Sequence, residues 1–208
     1  KIVVGENGQK TPILPISDIY IKGAHNIENA LAAVACGYCL GLKPQSMAHS
    51  LVTFTGMPHR LEFVANINDV LYVNDSKGTN PDSTIKAIEA YPHPLLLIAG
   101  GYNKNSNYTA MLETLRPKCQ YLLLLGETAE AIAETALQVG IPKEKIMQFE
   151  SLQEVVAKAF VLAQKGDMVL LSPACASWDM FANFEQRGNL FKSLVKEKMG
   201  DRNGEKAE

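Results

Sequence analysis

Nowhere in the 208 residues does an apolar run approach the ~20 consecutive side chains that a membrane-spanning helix needs. The first residues also lack a basic segment followed by an apolar one, the pattern of an export signal. The expectation is a cytoplasmic protein with no membrane partner. An excess of positive charge is missing as well: 20 Lys and Arg stand against 22 Asp and Glu, a formal net charge of -2. That excludes the basic stripe by which proteins hold nucleic acid or anionic lipid, and points to small-molecule partners. Cysteine is sparse. Cys36, Cys39, Cys119 and Cys175 all lie in apolar sequence, which fits reduced core thiols better than a disulfide framework. Cys36 and Cys39 form a C-x-x-C, but it falls late in a helical pattern, and no second Cys or Cys/His pair stands at zinc spacing. Two phosphate fingerprints are absent too, G-x-x-x-x-G-K-[ST] and G-x-G-x-x-G. Without a glycine fingerprint after a first strand, a nicotinamide-dependent dehydrogenase is excluded.

What is present centres on one octet. Val70-Leu71-Tyr72-Val73 reads as a buried strand, Asn74-Asp75-Ser76-Lys77-Gly78-Thr79-Asn80-Pro81 as a polar turn, and 83–90 as a helix. That order places Asp75, Lys77 and Thr79 at the carboxyl end of a strand, where open α/β sheets bind ligands. Gly78 lets the backbone approach a ligand closely. Asp75 is suited to accept from a ribose diol, Lys77 to neutralise phosphate or acyl-phosphate oxygens, and Thr79 to bond a carboxylate. The competing reading is a well-capped turn in which Asp75, Ser76 and Asn80 bond their own backbone.

With 47% hydrophobic residues the chain can bury a sizeable core, as one large domain or two unequal ones. Its start reads as a hairpin, 1–4 and 9–14, around Asn7-Gly8. An alanine-rich helix follows, with Asn26 as its N-cap. Asn26 and Asn29 then share the first turn and one face. A side-chain amide matches the N6/N7 edge of adenine, donor to acceptor, although capping alone also explains both asparagines. A second helix near 44–51 ends before Gly56-Met57-Pro58-His59-Arg60, where glycine and proline mark a boundary. From Leu61 on, strands alternate with helices, the mark of a doubly wound sheet. Strands are expected at 62–67, 70–74, 95–99, 121–125, 146–149 and 168–172, and helices at 83–90, 108–115, 128–139, 152–163 and 184–198. Only Asn68-Asp69 separates the first two strands, so they form a hairpin and one strand is antiparallel. The tail 200–208 is polar and expected to fray.

Two further strand ends carry chemistry. Gly100-Gly101-Tyr102-Asn103-Lys104 puts Lys104 on the ligand side of the sheet after two glycines. Ser172-Pro173-Ala174-Cys175-Ala176-Ser177-Trp178-Asp179 offers small residues, a hydroxyl and free backbone N–H groups at a helix start, a place that favours carboxylate or phosphate. Asp179 is expected to cap that helix. Phe181 and Phe184 are expected to pack, and Ser177 either binds or is structural.

Taken in order, His25-Asn26 with Asn29, Gly56-Met57-Pro58-His59-Arg60, the octet, Gly100-Gly101 with Lys104, and Leu171-Ser172-Pro173-Ala174-Cys175-Ala176-Ser177 with Phe184-Glu185-Gln186-Arg187-Gly188 resemble the Mur ligases. The N-D-S-K-x-T-N form resembles the D-glutamate-adding branch, whose siblings usually carry D-Y-A-H or similar there. The resemblance covers nearly all of the chain, with Gly78 where alanine is common and Trp178 where a smaller apolar residue is frequent.

The resemblance implies an α/β fold: a Rossmann-like, doubly wound, mostly parallel sheet with one antiparallel strand, preceded by a partial ATPase-domain segment. Residues 1–57 would be the end of a central ATP-binding domain, and 58–208 a carboxyl-terminal domain binding D-glutamate and part of ATP. The chain would be a fragment, inactive alone, with the phosphate loop and the Mg²⁺ ligands lying before Lys1. The implied reaction joins D-glutamate to UDP-N-acetylmuramoyl-L-alanine with ATP, through an acyl phosphate, in cytoplasmic peptidoglycan synthesis on which cell shape and division depend. The enzyme would be a monomer. The resemblance assigns adenine to Asn26 and Asn29, ribose to Asp75, nucleotide phosphates to Arg60 and the phosphoryl region to Lys77. Lys104, Thr79 and Ser177 would hold the carboxylates of D-glutamate, assisted by backbone near Phe184; His59 matches the motif without a role. The alternative is a non-catalytic Rossmann-like module that binds an acidic amino acid or a nucleotide.

Overall fold

In the computed structural model, which describes residues 1–6, 8–21 and 23–204 without the side chains of 24, 25 and 200–204, the chain divides into two compact units, Lys1–Met57 and Pro58–Glu208. In the first, β1 (Ile2–Glu6) and β2 (Gln9–Leu14) pair antiparallel. Gly8 takes the left-handed φ of 79° that the turn requires, and Asn7 lies outside the described residues. Two helices follow, α1 (Ala24–Cys39) and α2 (Pro44–Thr53), the latter opened by proline in its first turn. Ile2, Leu14, Ile19, Ala30, Val34 and Met47 make the core of this unit.

Two expectations are corrected here. Asn26 is not the N-cap of α1: Gly23, at φ 99°, supplies the cap conformation and starts the helix earlier, so Asn26 sits inside the first turn. Cys36 and Cys39 are exposed, not core thiols. The buried stripe of α1 runs through Asn26, Ala30, Val34 and Gly37 at helical spacing, and both cysteines fall off it.

The second unit alternates as its sequence pattern implies. It contains β3 (Glu62–Ile67), β4 (Val70–Asn74), α3 (Pro81–Glu89), β5 (Leu95–Ala99), α4 (Thr109–Leu115), β6 (Cys119–Leu125), α5 (Ala129–Gln138), β7 (Ile146–Phe149), α6 (Leu152–Leu162), β8 (Met168–Leu171) and α7 (Phe184–Gly204). One six-stranded sheet has the order β3-β4-β8-β5-β6-β7, parallel except for β3 against β4. The β3–β4 turn has Asn68 at φ 53° and Asp69 at φ 61°, the paired left-handed residues of a two-residue hairpin. Helix α7 continues to Gly204, past the expected end at 198; 205–208, part of the tail expected to fray, lie outside the described residues.

Side-chain alternation splits the central strands between two layers. Leu95, Leu97, Leu122, Leu124, Met168 and Leu170 face one core with Ile88 of α3, Met111 and Leu112 of α4 and Ile132 of α5. Leu96, Ile98, Leu123, Val169 and Leu171 face the other with Val155 and Val156 of α6 and Phe191 and Val195 of α7. Covered on both sides, such strands read as unbroken apolar runs. Leu97 has no exposed surface. Leu97→Ala is expected to lower the unfolding free energy by about 2–5 kcal/mol, measured in denaturant; a loss below about 1 kcal/mol contradicts its place in a close-packed layer.

Candidate functional site

Strand β8 returns between β4 and β5, so the carboxyl ends of three adjacent parallel strands carry the octet, the 172–179 segment and the 100–104 segment. Backbone hydrogen bonds stitch these loops together. Ala174 N–H donates to Gly78 O (3.0 Å), Gly100 N–H to Pro173 O (2.9 Å) and Tyr102 N–H to Ala176 O (2.9 Å). The glycines at 100 and 101, at φ 110° and 144°, do permit a close approach, but to the protein's own carbonyls at Leu125 and Ala176.

The octet is held from below by a buried polar network. Asn74 donates through Nδ2 to Nδ1 of His59 (3.0 Å) and to Oε2 of Glu62 (3.0 Å), and its Oδ1 accepts from Ser76 N–H (3.1 Å). His59 O accepts from Lys77 N–H (2.9 Å), and Lys192 pairs with Glu62 (3.0 Å). Burial, then the charge of Lys192, lowers the His59 pKa, which keeps the imidazole neutral and Nδ1 free to accept. His59, without a role from sequence, therefore anchors the octet.

Arg187 closes the structure from above. Only 2% exposed, it donates through Nε to Ser76 Oγ (3.0 Å), through Nη2 to Ser76 O (2.9 Å), and through Nη1 and Nη2 to Cys175 O (3.2 Å each). Burial lowers its pKa to about 10, still well above neutrality. Ser76 Oγ in turn donates to Phe184 O (2.8 Å).

Asp75 does not bond its own backbone as a simple capped turn would. Its Oδ1 accepts from Leu61 N–H (3.2 Å) and its Oδ2 from Ser172 Oγ (2.7 Å). Burial raises its pKa to about 6, against the lowering effect of Ser172, Leu61 and the exposed Arg60. Gly78 makes room for this: a Cβ there would stand 2.5 Å from Asp75 Oδ2 and 2.9 Å from Ser172 Oγ. Asn80 caps α3, accepting from Ser83 N–H (2.9 Å).

The remaining expected residues fall on the same loops. Lys77 Nζ lies 5.5 Å from the Phe184 ring centroid, and the Phe184 ring meets His59 edge-on at 6.0 Å. Lys104 is exposed, with Nζ 5.0 Å from the Trp178 ring centroid. Ser177 is 2% exposed and Thr79 half-buried. Segment 172–179 is not a helix start: Met180 and Phe181 N–H turn back onto Ser177 O (3.1 and 2.7 Å), because α7 begins only at Phe184. Asp179 accordingly caps no helix but accepts from Glu127 N–H (3.1 Å). In the first unit, Asn29 Nδ2 donates to Asn26 Oδ1 (3.4 Å). Sequence reasoning gave no role to Arg187, Ser172 or Glu62. For Arg187 the signal was there: it lies on one stripe with Phe191 and Val195, a charge among apolar neighbours on the buried face of a helix.

Residues 59–175, more than half of the chain, match the family described as Mur ligase, glutamate ligase domain. The chain belongs to the Mur ligase family. Its curated Mur ligase relatives include the UDP-N-acetylmuramoylalanine–D-glutamate ligase of Caldanaerobacter subterraneus subsp. tengcongensis, 51% identical over 90% of this chain and 42% of the relative. The protein of the same name from Clostridioides difficile is 47% identical over 89% of this chain and 41% of the relative. The chain thus spans about two-fifths of the relatives it matches. Among solved structures, the UDP-N-acetylmuramate-alanine ligase MurC of Thermotoga maritima shares the fold at a TM-score of 0.65 and 16% identity, covering 86% of this chain and 39% of that one. A Mycobacterium tuberculosis folylpolyglutamate synthase does so at 0.65 and 16%, covering 82% and 41%. The expected α/β fold, a mostly parallel sheet with one antiparallel pair, is the Mur ligase fold observed here.

The Asp75 carboxyl carbon is expected to titrate by NMR with a midpoint near 6 rather than 3.8. A pKa raised on folding means that the Asp75 contribution to stability is complete below pH 3.8 and is lost as pH rises through about 6. Gly78→Ala should turn the carboxyl outward and bring the midpoint down. A midpoint already at 3.8 in the unaltered chain contradicts the burial of the Asp75 carboxyl beneath Gly78.

Proposed function

We propose that this chain supplies the amino-acid-binding and part of the nucleotide-binding machinery of an ATP-dependent ligase that adds D-glutamate to UDP-N-acetylmuramoyl-L-alanine, a monomer of the cytoplasm acting in peptidoglycan synthesis. The observation that carries this reading is the set of cationic and hydroxyl side chains, Lys77, Thr79, Lys104 and Ser177, on the adjoining strand-end loops of a Mur ligase glutamate domain. In the same reading, residues 1–57 are the end of the central ATP-binding domain and 58–208 the carboxyl-terminal domain.

In the reaction, a carboxylate oxygen of the lactoyl-L-alanine attacks the γ-phosphorus of ATP, ADP departs, and an acyl phosphate forms. The amine of D-glutamate then attacks the acyl carbon, and the tetrahedral intermediate collapses to an amide with release of phosphate. Such chemistry is limited by positioning and by neutralising charge between anions. Lys77, supported through its N–H on His59 O, is assigned to the phosphoryl region, and Arg60 to the nucleotide phosphates. Asn26 and Asn29 are assigned to adenine. Asp75 is assigned to ribose, a contact that its oxygens make in addition to, or in exchange for, those to Leu61 and Ser172. Lys104, Thr79 and Ser177 take the carboxylates of D-glutamate, assisted by the backbone near Phe184, whose carbonyl is held by Ser76 Oγ. Among the described residues, no group of three or more His, Cys, Asp or Glu is placed to hold a metal ion.

Two substitutions in an active protein that contains this segment separate the roles. Lys104→Ala should abolish use of D-glutamate while nucleotide binding stays within about two-fold, the range of a surface substitution away from the nucleotide. Asp75→Ala should weaken ATP and spare D-glutamate. Equal loss of both ligands in either variant means that the roles are misassigned.

A further inference from the structure

Trp178 has an unusual place for a tryptophan. The residue is 64% exposed, yet the chain is pinned on both sides of it. Ala176 O accepts from Tyr102 N–H (2.9 Å), Ser177 O accepts from Met180 and Phe181 N–H, and the Asp179 carboxylate accepts from Glu127 N–H (3.1 Å). The indole thus stands on a fixed pedestal, with the Tyr102 ring 5.6 Å away and tilted by 54° as a second wall. The Lys104 ammonium lies 5.0 Å from its centroid, inside the range of a cation–π contact.

We propose that Trp178 is a positioning residue for Lys104, and through it a determinant of affinity for an acidic amino acid; this rests on the reading that Lys104 receives a carboxylate. The choice of an aromatic partner follows from what the ammonium must do next. A carboxylate neighbour would also hold Lys104, but it would neutralise the charge and compete with an incoming anion. A ring face attracts the cation without neutralising it and leaves its N–H donors for the ligand. Among the described residues Lys104 has no ion pair and no hydrogen bond through Nζ, so the ring is its only side-chain anchor. Lys77 over Phe184, at 5.5 Å, repeats the arrangement on the neighbouring loop.

The contact and its consequence are read separately, both by NMR of the chain. The ε-methylene protons of Lys104 should lie upfield through the indole ring current, and Trp178→Leu should return them to the position of a free lysine. D-glutamate affinity should fall about two- to five-fold in Trp178→Leu, the scale of an exposed cation–π pair, and recover in Trp178→Phe, with nucleotide affinity unchanged. Trp178 is the only tryptophan of the chain, so its fluorescence should also respond to D-glutamate, and that response should vanish in Lys104→Ala. Unshifted methylene protons, or equal D-glutamate affinity in Trp178→Leu and the unaltered chain, overturn the positioning role while leaving the amino-acid site standing. A normal ring-current shift with no D-glutamate binding by the unaltered chain overturns the amino-acid reading, and the proposal falls with it.

Discussion

Arg187 carries a full charge into a place where water scarcely reaches, and the ligand end of the sheet is assembled around it. Its guanidinium gives hydrogen bonds to Ser76 in the loop after β4 and to Cys175 in the loop after β8. Enclosing a charge costs several kcal/mol unless its donors are satisfied, and a buried carbonyl without a partner costs about 1–3 kcal/mol. Each side of the contact therefore needs the other. The two loops reach their lowest energy only when both close on the same group, and the negative charge of Asp179 favours the charged guanidinium. Below them, Asn74, His59, Glu62 and Lys192 fix the base of the octet. Flexible polar loops become a platform because the enclosing network is polar and almost completely satisfied; among the described residues, Asp179 Oδ1 is the buried side-chain oxygen without a partner.

That platform separates two kinds of polar group. Asn74, Ser76, Ser172 and Arg187 are buried and committed to the protein. Lys77 and Lys104 rest on aromatic rings, and neither is paired with a carboxylate among the described residues. The first group pays for order; the second stays available to an anion. Asp75 lies between the two classes. Burial pushes its pKa up to about 6, and Gly78 supplies the space that allows that burial.

Most of the architecture was legible because both signals involved are local. Unbroken apolar runs such as 95–99 and 168–171 mark strands covered on both faces, and Asn68-Asp69 marks a hairpin by its tolerance of left-handed backbone. The octet was legible as a strand-end turn for the same reason. What escaped were contacts between segments remote in sequence. Nothing near Arg187 says that its partners are Ser76 and Cys175, and nothing near Asp75 says that Ser172 will take its carboxylate. Local signals also erred where two residues competed for one task. Asn26 is a good cap by composition, but Gly23, free of the steric cost of a positive φ, starts α1 first. Asp179 is likewise a good cap residue by type, but α7 begins beyond it, and the carboxylate goes to Glu127 N–H instead.

The most direct test of the central claim, that the closed strand-end platform presents its free cations to an acidic amino acid, is an NMR titration of the chain with D-glutamate and, separately, with L-glutamate. The account predicts shifts selective for the D form at Thr79, Lys104 and Ser177, with the amides around Ser76 and Cys175 unmoved because Arg187 has already ordered them. Equal responses to the two enantiomers, or shifts that bypass these residues, would contradict it.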